Sequence, residues 1–113
     1  MSTDPKTVAF IVDQAAGAGA VTAKLMFGEY GLYCDGRMVA LVCDDRLFVK
    51  PTPGGRLLAA DAEEAAPYPG AKPCLVIDPD RLEDGEWLSA LFRVSAAELP
   101  LPKAKAKRPL KQG

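Results

Sequence analysis

The chain has 113 residues, of which 49% are hydrophobic and 26% charged, with a formal net charge of −1. This composition is typical of one soluble globular domain and excludes a disordered chain. No apolar run approaches the roughly 18 residues that a spanning helix needs, and the N-terminus lacks a basic start followed by an apolar stretch, so we expect a cytoplasmic protein without a signal peptide or a membrane partner.

The charge is unevenly distributed along the chain. The last residues hold five cations and no acid, namely Lys103, Lys105, Lys107, Arg108 and Lys111. Removing those five from the 14 basic side chains leaves nine against 15 acidic ones, a balance of −6. We therefore predict a folded domain over residues 1–100 and a disordered basic tail over residues 101–113. The acidic folded part repels duplex DNA, so we expect nucleic acid or an acidic partner to bind only weakly, through the tail. The alternative is that the tail only increases solubility.

The N-terminal segment predicts an amphipathic helix over residues 5–16. Asp4 can cap the free amide hydrogens of the first turn, and Pro5 suits the first helical position. Apolar side chains then recur at helical spacing, at Val8, Ile11, Val12 and Ala15. The glycines of the Gly17-Ala18-Gly19 segment end the helix.

A meander of short strands follows. Asp35-Gly36 is a strong two-residue hairpin signal, because both turn positions require a positive φ, and Asp44-Asp45 is a weaker one. The predicted strands are Val21–Phe27, Tyr30–Asp35, Arg37–Cys43 and Arg46–Lys50.

The two hairpin turns fix a predicted register. Cys34 lies opposite Arg37 and Cys43 lies opposite Arg46, and facing pairs share one side of the sheet. One face is then predicted to hold Tyr33, Met38, Ala40, Val42, Leu47 and Val49. The other is predicted to hold Leu32, Cys34, Val39, Leu41, Cys43 and Phe48. Both faces are apolar, so we expect both to be covered, one by helices and the other by a second copy in a homodimer.

The second half of the chain is less regular. Residues 51–70 contain turn-forming prolines and glycines, with a helical turn or two predicted in residues 56–66. Lys72–Ile77 reads as a strand. Asp78-Pro79 repeats the cap-and-proline start, and a final helix is predicted within Asp80–Ser95. Ala96-Ala97-Glu98 can extend it as far as Pro100, where it must stop.

The residue types offer little catalytic chemistry. The chain has no histidine, no phosphate-binding glycine motif and three cysteines without a CxxC pair, so we expect no catalytic residue, cofactor or metal site. The cysteines are interpreted as small apolar residues; the alternative is a redox thiol near Arg37 or Arg46. The aromatic residues Tyr30, Tyr33 and Phe48 could stack on bases, but core packing explains them better.

The central segment resembles the signature of the TfoX/Sxy N-terminal domain family. The resemblance rests on Met26, Phe27, Gly28, Tyr30, Gly31, Leu32, Tyr33, Asp35, Gly36, Met38, Ala40, Leu41, Asp45, Leu47 and Lys50. It extends less specifically to about Leu99. The chain departs from the family pattern at Glu29, where members commonly have a second glycine, and at Val39, where they have an aromatic residue.

The resemblance implies an α+β fold with a curved antiparallel sheet of about five strands, flanked by an N-terminal and a C-terminal helix. This fold is similar to dimeric secretion chaperones. Longer members carry a second, helical domain and regulate transcription in natural competence with the cyclic-AMP receptor protein. We therefore expect a non-enzymatic protein–protein interaction domain that binds a transcription-regulatory partner. The motif residues are expected to be structural or to form the interaction surface. The alternatives are a nucleic-acid-associated regulator that uses the tail or a partner, and a thiol-dependent enzyme.

Overall fold

A computed structural model describes residues 3–26 and 29–99 of the chain. Phe27, Gly28 and the predicted basic tail lie outside the described residues. The α-helices are α1 (Pro5–Gln14), α2 (Pro53–Leu58) and α3 (Gly85–Glu98). The strands are β1 (Val21–Met26), β2 (Glu29–Cys34), β3 (Arg37–Cys43), β4 (Arg46–Val49), β5 (Glu63–Ala65) and β6 (Cys74–Val76).

The strands form one antiparallel sheet in the order β1-β2-β3-β4-β6-β5. The α+β class and the flanking helices are thus confirmed, with six strands where about five were expected. The additional strand is β5, which lies in the segment predicted to be helical. The helix begins earlier instead, because the Thr52 hydroxyl caps it by accepting a hydrogen bond from Gly55 N at 3.0 Å, and Pro53 occupies its first turn.

Both hairpin turns are as predicted. Asp35 and Gly36 have φ angles of 53° and 86°, and Asp44 and Asp45 have 54° and 63°. Aspartate tolerates the left-handed region better than most residues, so the second turn closes without a glycine. The predicted pairs Cys34–Arg37 and Cys43–Arg46 are confirmed.

A β-bulge makes part of the predicted face assignment wrong. Tyr33 pairs with Met38 but Leu32 pairs with Ala40, so Val39 is an extra residue without a partner on β2. One extra residue reverses the alternation of side chains between the two faces. Tyr33 and Met38 therefore lie with Leu41, Cys43 and Phe48, whereas Leu32, Cys34 and Val39 join the opposite side.

The main core lies between the sheet and the helices α1 and α3. The Asp4 side chain caps α1 by accepting from Lys6 N at 2.9 Å, and Asp84 caps α3 by accepting from Trp87 N at 3.1 Å. The largest core side chains are fully buried and come from both helices and the sheet, namely Ile11, Leu32, Leu47, Leu75, Leu88, Leu91 and Phe92. Each such side chain stabilises the fold by about 1.5–3 kcal/mol.

The Asp78-Pro79 start leads into a 3₁₀ turn over Pro79–Glu83, and α3 follows it. The final helix therefore begins within the predicted range, at Gly85, and continues through the predicted extension to Glu98. Within residues 3–26 and 29–99, no helix has the length and apolar content required to cross a membrane.

Candidate functional site on the open face of the sheet

The side of the sheet that faces away from α1 and α3, here called the open face, has an apolar centre. Strand alternation and the bulge place there Met26, Gly31, Tyr33, Met38, Leu41, Cys43, Phe48, Cys74 and Val76. The polar residues on this face lie on the edge strands or at strand starts, namely Thr22, Lys24, Glu29, Arg46 and Glu63. Part of the apolar set forms a small cluster that is separate from the main core. The centre of the sheet is therefore apolar on both sides, as the sequence predicts.

Two methionine side chains meet over Gly31 of β2. A Cβ atom at this position would lie 2.8 Å from Met38 Cε and 2.9 Å from Met26 Sδ. The Tyr33 hydroxyl lies 4.0 Å from the same sulfur atom. Gly31 thus gives the methionines room to lie against the backbone, and these unbranched side chains can adapt their shape to a ligand.

A cavity of about 510 Å³ opens on this face. Its wall is largely apolar, and Glu29, Lys50 and Tyr68 add polar groups; the lining residues are Met26, Glu29, Tyr30, Met38, Leu41, Cys43, Lys50 and Tyr68. The Tyr68 side chain is 55% exposed. The volume lies in the range of protein ligand sites and would accept a large apolar side chain.

Beside the cavity, the second apolar cluster is well shielded from solvent. Cys43, Phe48 and Cys74 are each about 5% exposed. The Arg46 guanidinium lies 5.5 Å from the centroid of the Phe48 ring, a distance suited to a cation–π interaction. The Phe48 ring is therefore already occupied by contacts within the chain.

The cysteine environments disfavour a reactive thiol. Burial is the largest cause that raises the pKa of Cys34, Cys43 and Cys74 above the ordinary value of 9.0. The predicted proximity of Arg37 to Cys34 is real, and this arginine opposes the rise, but desolvation and Asp35 outweigh it. Arg46 lies opposite Cys43 in the sheet, yet burial and Glu29 still raise the pKa of this thiol. Neutral, buried thiols are poor nucleophiles.

Glu29, at the rim of the cavity, connects β2 to the N-terminal segment and to the β3–β4 turn. Its carboxylate accepts hydrogen bonds from the Thr3 hydroxyl and from Asp44 N, the latter at 3.3 Å. Asp4 N in turn donates to Asp45 Oδ1 at 2.8 Å. Glu29 is half-buried and holds the N-terminal segment against the β3–β4 turn.

The motif residues divide between the two sides of the sheet. Met26 and Tyr33 lie on the open face, with Gly31 between them and Lys50 at the cavity rim. Leu32 and Leu47 are core residues with at most 1% exposure, and Asp35 and Gly36 form the turn. Tyr30 borders the open-face cavity but pairs with Val42, whose position is on the helix side. Strand alternation therefore separates it from Tyr33 and Phe48, and the three aromatic residues considered for base stacking do not share one platform.

Sequence reasoning did not identify Tyr68 as part of the site. It lies in the irregular loop between β5 and β6, where no periodic pattern indicates the direction of a side chain. Its flanking prolines, Pro67 and Pro69, mark a rigid turn and are the only signal that could have drawn attention to it.

Among the described residues, no three histidine, cysteine or acidic side chains are positioned to hold a metal ion. A second cavity, of about 350 Å³, lies near the C-terminal end of β6. Its Arg81 already bonds to Asp61 at 3.2 Å and lies 3.7 Å from the Trp87 ring centroid, so this cation is engaged within the chain.

Comparison with known proteins identifies relatives of the whole domain. The family model of the TfoX N-terminal domain matches residues 13–99. The chain is also 46% identical over 112 residues to an uncharacterized 12.7 kDa protein in the trpE 5′ region of Spirochaeta aurantia. The matched region covers 96% of this chain and 96% of the Spirochaeta aurantia protein.

Proposed function

Because this chain belongs to the TfoX N-terminal domain family, we propose that it is a non-enzymatic protein–protein interaction domain that binds a regulatory partner protein through the open face. The observation that carries the proposal is the apolar cavity that Met26 and Met38 form over Gly31. The family relationship supports a role in the regulation of transcription or competence, in the cytoplasm.

The chemistry of the open face fits a protein partner. Protein interfaces combine an apolar centre with a polar rim, and methionine is enriched in them. Here the centre consists of Met26, Met38 and Leu41, and the rim carries one acid, Glu29, and one base, Lys50. A partner segment with one large apolar side chain could fill the cavity while its polar flanks meet the rim.

The thiol-dependent enzyme is the weaker alternative. All three cysteines are buried, and burial raises the pKa of each thiol. The nucleic-acid-associated regulator depends on the tail, which lies outside the described residues, or on a partner protein. A nucleic-acid-associated regulator that acts through a partner protein is compatible with the proposal, because the open face would then bind that partner.

The test compares two variants that add the same charge at different sites. Met38→Lys places an ammonium group in the cavity, whereas Leu57→Lys changes a leucine of α2 that is 82% exposed. Each purified, tagged protein is used to capture partners from a lysate of the native cell. We expect one protein to be retained by the wild type and by Leu57→Lys and lost with Met38→Lys, while circular dichroism shows all three folded. Equal retention by both variants would contradict the proposal.

A further inference from the structure

The two edges of the sheet differ in their capacity to accept another strand. The β5 edge has three residues, all exposed, and two of them are Glu63 and Glu64. Short, charged edges resist pairing. The β1 edge has six residues and one charge, Lys24. The β1 edge is therefore the better template for strand addition.

The hydrogen-bond pattern identifies which backbone groups of β1 point outward. Asp35 N donates to Ala20 O at 2.9 Å, so Ala20 belongs to a hydrogen-bonded pair with β2. Such pairs alternate along an antiparallel ladder. The backbone N–H and C=O groups of Thr22, Lys24 and Met26 therefore also point toward β2. The N–H and C=O groups that point away from the sheet belong to Val21, Ala23 and Leu25.

We propose that β1 pairs antiparallel with β1 of a second copy of this chain, about a two-fold axis at Ala23. Residues directly opposite each other share a face, so an axis that keeps the helices of both copies on one side passes through a residue position. The two positions at the centre of β1, which give the longest overlap, are Ala23 and Lys24. An axis at Ala23 gives three pairs with outward-facing backbone groups, each exchanging two hydrogen bonds. An axis at Lys24 gives two such pairs and places two lysines directly opposite each other, which is destabilising.

The side chains of β1 favour the same register. On the helix side, Val21 lies opposite Leu25 of the partner subunit, and on the open face Thr22 lies opposite Lys24 of the partner subunit. Leu25 is 62% exposed in the single chain, and among the described residues no other large apolar side chain of a strand is exposed. Pairing would cover it.

A groove next to β1 provides the space for this leucine. The groove has a volume of about 530 Å³ and lies between α1 and β1, with Val8, Val12, Val21, Ala23 and Tyr30 in its wall. In the proposed register, Leu25 of the partner subunit lies beside Val21, at the mouth of the groove. The backbone edge and the apolar groove thus fit one occupant, and the interface is distinct from the open face.

The first test is the mass of the 113-residue protein by sedimentation equilibrium. We expect the wild type to have twice the 12.0 kDa mass of one chain. Leu25→Lys should weaken dimerisation at least tenfold, and Leu57→Lys, at the exposed leucine of α2, should leave it unchanged. A wild-type monomer at millimolar concentration, or a dimer unaffected by Leu25→Lys, would overturn the proposal. Both variants change exposed positions, and circular dichroism verifies that they fold.

The second test resolves the register by disulfide cross-linking. Across the proposed axis, the Cα atoms at position 23 lie about 5.5 Å apart, which suits a disulfide. Under mild oxidation Ala23→Cys should give a covalent dimer, and Lys24→Cys should give little. The native cysteines are buried and do not interfere. Cross-linking through position 24 alone would place the axis at Lys24, and cross-linking at neither position would exclude β1 pairing.

Discussion

The Thr3 hydroxyl donates a hydrogen bond to the Glu29 carboxylate, which joins the N-terminal segment to β2 across 26 positions of sequence. We expect Glu29→Ala to lower the free energy of unfolding by about 1–2 kcal/mol, because hydrogen bonds to a charged group are lost and Thr3 is buried. Urea denaturation measures the change. Glu63→Ala, at an exposed residue of β5, is the control and should change stability by less than about 0.5 kcal/mol. Equal effects of the two substitutions would show that the Glu29 contacts contribute no stability.

Gly31 and Gly36 should separate partner binding from folding. Gly31→Ala pushes against the far ends of Met26 and Met38, which are flexible, so stability should fall by less than about 1 kcal/mol while partner capture through the open face decreases. Gly36 has a φ of +86° and open space around it, so Gly36→Ala should cost about 1–2 kcal/mol of conformational energy and leave capture unchanged. Thermal unfolding and the capture assay together test this contrast. A Gly31→Ala protein that retains full capture would argue against the methionine cavity as the binding site.

Two serines of α3 should respond in opposite directions to alanine. Ser95 is fully buried, and its hydroxyl has no hydrogen-bond partner among the described residues. Ser95→Ala removes that unsatisfied group and improves helix propensity, so we expect a gain of about 0.5–1.5 kcal/mol. Ser89 donates to Gln14 O at 3.1 Å, and Ser89→Ala should cost about 1 kcal/mol. Chemical denaturation of both variants under one condition makes the comparison. A loss of stability in Ser95→Ala would mean that its hydroxyl is satisfied.

The buried thiols predict a loss of stability at alkaline pH. Burial raises the pKa of each thiol above 9.0 in the folded chain, whereas in the unfolded chain it stays near that value. Above pH 9 the unfolded chain therefore binds fewer protons than the folded one, and the free energy of unfolding falls as pH rises until the folded pKa is passed. Below pH 9 the thiols cause no such fall.

Urea denaturation between pH 7 and 10 measures this effect. Cys74→Ala should have a shallower alkaline slope than the wild type, because it lacks one of the three buried thiols. An alkylating reagent provides an independent check: the folded wild type should react far more slowly at pH 7 than the urea-unfolded chain. Rapid labelling of the folded protein would instead support a thiol-dependent activity.

The hairpins could be read from the sequence because their information is local. Asp35-Gly36 and Asp44-Asp45 fix both the turn conformation and the pairing of the residues beside them. The bulge could not be read, because Val39 is an ordinary strand residue and its extra position depends on the pairing partner. That single residue decides which side Met38 faces, so the composition of the open face required the structure.

Other parts of the site depend on contacts between distant segments. Glu29 acquires its role from Thr3 and Asp44, which the sequence does not mark as neighbours. β5 has no apolar alternation of its own and is held by pairing with β6. Tyr68 reaches the cavity from the loop between these strands. Long-range packing, rather than local propensity, determines these features.

The short, acidic β5 edge also limits how many chains can associate by strand pairing. A sheet with two receptive margins can add chains indefinitely and become a fibre, which is the hazard of an open β-structure. In this sheet one margin has only three residues, Glu63, Glu64 and Ala65, and carries the Glu63 carboxylate beside the Glu64–Arg56 ion pair. Association by strand pairing should consequently terminate at a closed pair of chains.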